Sequence, residues 1–86
     1  MKIIGIGKNY INDISELSAA KTGSQTIFTK PESSLVTDNK DVVFPKVTDQ
    51  LAYEVELVAK IGKQGKDITL EDANSYISAI AVGIDY

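Results

Sequence analysis

The chain has 86 residues, 43% hydrophobic and 24% charged, which fits one small folded domain and excludes a disordered, strongly charged segment. Its formal net charge is −3 and all nine basic residues are Lys; without Arg it lacks the forked donor that suits phosphates and base edges, so nucleic acid is not an expected partner. The absence of Cys excludes disulfides, thiolate metal sites and a Cys nucleophile, and agrees with a reducing, cytoplasmic setting.

In chain order, Met1-Lys2-Ile3-Ile4-Gly5-Ile6-Gly7 is too short for a signal peptide and reads as a first strand over residues 2–6, broken by Gly7. Ile11, Ile14, Leu17 and Ala20 recur at three-residue spacing, the mark of a short amphipathic helix capped by Asn9 or Asn12. Lys21 to Gln25 reads as a loop, and Thr26-Ile27-Phe28-Thr29 as a second strand, closed at Lys30 because Pro31 removes a backbone donor. Asp38 to Asp41 forms a turn, followed by a short strand, Val42-Val43-Phe44, stopped by Pro45.

Ala52 to Ile61 is expected to be the longest strand, ended by Gly62 and a turn over residues 63–66. Thr69, with Asp72 three residues on, starts a second helix reaching Tyr76 or Ile77. The small apolar run from Ser78 to Asp85 fits a strand buried on both faces. Such a strand needs neighbours on either side, so the chain reads as cut after Asp85-Tyr86. No apolar run approaches the roughly 20 residues that span a bilayer, and no membrane partner is expected.

The period of two along a strand puts Glu54 and Glu56 on one face and Tyr53, Val55 and Leu57 on the other. Two carboxylates about 7 Å apart on one face repel unless solvent or a cation intervenes. From the pair alone the wet face of a strand is the favoured reading, since charge runs are usually solvated faces, and half of a cation site is the alternative. Asp85 ends an apolar run, where a carboxylate is costly unless paired or metal-bound. Hard divalent cations such as Mg²⁺ take a few carboxylates plus water or substrate oxygens. On the residues alone, the solvated-face and metal readings both stand. Gly5-Ile6-Gly7 lacks the third glycine of a dinucleotide loop, since Tyr10 occupies that place, and is better explained by close backbone packing. Lys30, followed by Ser33 and Ser34, is either a surface Lys or a partner of an anionic substrate.

Four segments, Gly7-Lys8-Asn9-Tyr10, Ile27-Phe28-Thr29-Lys30-Pro31, Tyr53-Glu54-Val55-Glu56-Leu57 and Val82-Gly83-Ile84-Asp85, together resemble the fumarylacetoacetate hydrolase family in order and spacing. The resemblance covers the whole chain and matches the first part of a short, acylpyruvase-like member. It implies an α+β fold, a mixed β roll with two short helices, of which residues 1–86 are the N-terminal part. It implies Mg²⁺ or Mn²⁺ held by Glu54, Glu56 and Asp85, and small 2-oxo or 1,3-dicarbonyl acids as substrates. The reactions it implies are acylpyruvate hydrolysis, oxaloacetate decarboxylation and dienoic diacid isomerisation, in a homodimer.

Lys30 matches a family Lys near the substrate. Family hydrolases activate water with a His–Glu dyad; Glu16 stands at the Glu position, and Asp13 replaces the His. Two carboxylates make a poorer base than an imidazole oriented by one, so decarboxylation or isomerisation suffers less than hydrolysis. A non-catalytic, metal-binding member is the alternative. The Thr-Ala-Arg-Asp-x-Gln stretch that normally follows the Asp, and a later Lys and Thr of the pocket, lie outside these residues.

Overall fold

The computed structural model describes residues 1–86, the side chain of Thr22 excepted. They divide into two units, Met1–Val42 and Val43–Tyr86, each holding one antiparallel strand pair, and the class is α+β with two short helices. Among the described residues no helix is long and apolar enough to cross a membrane.

In the first unit the β-branched opening forms β1 (Ile3–Gly7), which pairs antiparallel with β2 (Thr26–Lys30), Gly5 opposite Phe28. Alternation leaves Ile3, Gly5 and Gly7 half-buried on the face shared with Phe28 and Lys30. The Phe28 ring lies over Gly5, so a Cβ there would overlap it. Close packing, rather than phosphate binding, accounts for that glycine. Lys8 follows with φ 54°, turning the chain out of the strand.

The helical segment begins later than Ile11, with a 3₁₀ turn (Ile14–Glu16) running into α1 (Leu17–Thr22). Its N-cap is Asp13, not Asn9 or Asn12: the Asp13 carboxylate accepts from the Ser15 N–H, and Glu16 reaches back to the backbone ahead of it. The reason is reciprocity, since neither Asn has a Glu or Gln three residues on. Lys21, expected in a loop, instead occupies the last turn of α1, where a cation complements the helix dipole. The turn at Asp38 and Asn39 forms as expected, both at positive φ.

The strand expected at Val42–Phe44 does not form; the chain runs irregularly until β3 (Glu54–Ile61) in the second unit. Pro45 cannot donate to a ladder, and Val43 is 86% exposed with no strand beside it. The strand expected from Ala52 begins at Glu54, and β4 (Ile77–Asp85), at nine residues, is the longer one. Between them Thr69 caps α2 (Leu70–Ala73) by accepting from the Asp72 N–H, and a 3₁₀ turn (Asn74–Tyr76) leads into β4. The connection is fastened to β3 by the Gly62 N–H, which donates to the Tyr76 carbonyl at 2.8 Å. The Lys63 ammonium sits 4.4 Å from the Tyr76 ring centroid.

β4 is not buried: Ile80 is 65%, Val82 75% and Ile84 55% accessible on one face, Gly83 and Asp85 are half-buried on the other, and no described residue forms a buried core. A two-stranded ribbon has no third element with which to cover itself. Gly5→Val should displace Phe28 and destabilise the β1–β2 pair by about 1–3 kcal/mol. Faster amide exchange at Ile4 and Phe28, with β3–β4 unaffected, would report it.

Candidate metal centre

β3 and β4 pair antiparallel with Glu54 opposite Asp85, Val55 opposite Ile84, Glu56 opposite Gly83 and Leu57 opposite Val82. Directly paired residues share a face, so the ribbon is two-sided. One face carries Val55, Leu57, Ile80, Val82 and Ile84. The other carries Glu54, Glu56 and Asp85 at its end, with Gly83 at the fourth corner. Ligand oxygens of the three carboxylates lie within 4.8 Å of one another. Glu54 is exposed, while Glu56 and Asp85 are half-buried.

This donor set fits a hard divalent cation. Oxygens trans across Mg²⁺, with bonds of about 2.1 Å, stand roughly 4.2 Å apart, so small side-chain rotations bring three such atoms into one coordination sphere. Unit charges about 4 Å apart repel by about 1 kcal/mol in water and about 4 kcal/mol at a protein surface. A divalent cation turns that repulsion into attraction. Three monodentate carboxylates would leave positions for water or substrate oxygens, the open arrangement of a catalytic rather than a closed structural site.

Residues 2–86 match the family described as fumarylacetoacetate (FAA) hydrolase C-terminal. The chain belongs to the fumarylacetoacetate hydrolase family. Among its relatives, the fumarylacetoacetate hydrolase domain-containing protein 2 homolog of Dictyostelium discoideum is 37% identical over 84 residues, 98% of this chain and 28% of that protein. The mitochondrial oxaloacetate tautomerase FAHD2 of Arabidopsis thaliana is 34% identical over 98% of this chain and 38% of its own length. The homoprotocatechuate catabolism bifunctional isomerase/decarboxylase of Escherichia coli is 33% identical over 98% of this chain and 20% of its own length. The chain thus spans between a fifth and two-fifths of these relatives. No solved structure matches it significantly.

The other residues that the family resemblance singles out lie in the first unit. Asp13 and Glu16 come together, but as a helix cap: Glu16 Oε2 accepts from the Asn12 N–H at 3.0 Å and the Asp13 N–H at 3.5 Å, and Asp13 Oδ1 accepts from the Ser15 N–H at 3.2 Å. Both are exposed. Lys30 is half-buried at the end of β2, opposite Ile3. Reading the sequence for charge alone passes over Gly83, which the strand register places among the carboxylates. Pairing the period-two patterns of β3 and β4 is the signal that would find it.

Glu56→Ala should weaken Mg²⁺ or Mn²⁺ binding by at least roughly tenfold. Calorimetric titration checks this, with Lys66→Ala, away from the cluster, expected to bind as wild type.

Proposed function

We propose that these residues belong to a Mg²⁺-dependent enzyme that enolises or decarboxylates small 2-oxo acids. The observation that carries this reading is the convergence of Glu54, Glu56 and Asp85 on one ribbon face. The names of the tautomerase and isomerase/decarboxylase relatives support it. The mixed β roll and the homodimer implied by the resemblance belong to the same reading of the complete protein.

In this reading Glu54, Glu56 and Asp85 are the residues that would hold Mg²⁺ or Mn²⁺. When bound there, such a cation would supply Lewis acidity toward a 2-oxo acid, the chemistry that tautomerisation and decarboxylation share. Glu54 and Glu56 come from the start of β3 and Asp85 from the end of β4, so backbone pairing presets their spacing before any ligand arrives. The role of Lys30, a charge partner for the substrate carboxylate, rests on the family resemblance.

Hydrolysis is the least favoured of the family's reactions here. Water activation needs a base whose proton affinity suits neutral pH, and Asp13 stands where the family resemblance calls for His. The pair that replaces the dyad, Asp13 and Glu16, is spent on satisfying backbone donors at a helix start. Tautomerisation and decarboxylation depend on enolate stabilisation and lose less.

The full-length protein with Mg²⁺ should enolise or decarboxylate oxaloacetate above the rate with Mg²⁺ alone. Its acylpyruvate hydrolysis should be weaker by about 10²-fold or more, the usual contribution of a general base. Asp13→His is expected to raise hydrolysis selectively. Efficient hydrolysis by the unaltered protein would refute the assignment, and no turnover of any oxo acid would favour a non-catalytic metal-binding member.

A further inference from the structure

The carboxylate face ends in a rectangle of cross-strand positions: Glu54 opposite Asp85, and Glu56 opposite Gly83. Three corners carry ligating groups and the fourth carries no side chain. Glycine weakens a strand interior, so its presence here needs a reason. Backbone conformation is not the reason, because no described glycine has positive φ. Space is. A Cβ at residue 83 would project onto the carboxylate face, 2.7 Å from Cγ2 of Val58, with no other atom of the described residues within 4 Å apart from those of the adjacent residues. Among the described residues the corner is therefore bounded on the β3 side by one methyl group.

We propose that Gly83 is the steric gauge of the metal centre, leaving room beside Glu56 and Asp85 for the chain of the 2-oxo acid that joins the cation. The proposal rests on the metal-centre reading above and adds a size-determining residue to it. A side chain at this corner narrows the approach without removing a ligand, so cation affinity and oxo-acid size preference separate.

The test uses the full-length protein loaded with Mn²⁺. Water-proton relaxation reports both cation binding and the displacement of coordinated water by pyruvate, 2-oxobutyrate and 2-oxoisovalerate. Gly83→Val should keep Mn²⁺ affinity within about threefold, yet weaken 2-oxoisovalerate at least roughly tenfold more than pyruvate, the scale on which pockets sense added methylenes. Gly83→Ala should show the same order of preference to a smaller degree. Adding Val58→Ala to Gly83→Ala removes the 2.7 Å clash but keeps the new methyl group. Size discrimination should persist in that double variant while its melting temperature recovers.

Recovery of wild-type oxo-acid binding in the double variant would assign Gly83 to packing against Val58 and overturn the proposal, even if Gly83→Val fails to fold. Equal losses for all three acids would overturn it too. A wild-type protein that binds no Mn²⁺ would overturn the metal centre itself, which separates the two failures.

Discussion

The register between β3 and β4 is the constraint on which the site depends. Glu54 and Asp85 lie far apart in the chain and become neighbours only because their strands pair with those residues opposite. A slip of one residue would put Ile84 opposite Glu54 and send Asp85 to the aliphatic face. Two features resist that slip. The alternation of Val55, Leu57, Val82 and Ile84 keeps one face uniformly apolar, so either strand turned over would place charge among methyl groups. At the other end of the ribbon the register shifts between Lys60 and Ile61, with Ser78 as the extra residue of β4 and its hydroxyl donating to the Lys60 carbonyl. A Cβ at Gly62 would come within 2.5 Å of Ser78 Cβ, so the bulge needs glycine beside it.

The same pairing produces two faces with opposite needs. One face is aliphatic and exposed in this chain, with Leu57 63% and Val82 75% accessible. The other gathers negative charge that favours a cation. Neither face is satisfied by the ribbon alone, and isolated two-stranded ribbons are marginal in water. Cation binding to the folded ribbon would therefore also stabilise it, because the three oxygens are close together only when the register is formed.

In the first unit a local requirement competes with chemistry. A helix start leaves backbone donors unsatisfied, and Asp13 with Glu16 answers that need through a reciprocal capping box. A His at position 13 could not cap in the same way but could take a proton at neutral pH. The residue present, Asp13, serves the cap.

Much of this was legible in the sequence, because short-range physics wrote it. Runs of β-branched and apolar residues marked β1, β2, β3 and β4, Thr69 with Asp72 marked the start of α2, and the Asp38-Asn39 turn followed from residues that tolerate positive φ. The shared face of Glu54 and Glu56 followed from strand period alone. Where sequence reading failed, the deciding partner was distant. Val42–Phe44 has strand-forming residues but pairs with no strand of the structure, and the run ending in Asp85 has the composition of a buried strand but no covering layer among the described residues. Sequence by itself determined the carboxylates and their strand faces, through side-chain chemistry and the backbone repeat. Only the tertiary structure decided that Asp85 meets the Glu pair and that Gly83 opens the fourth corner, because register is a property of two strands and is carried by neither one alone.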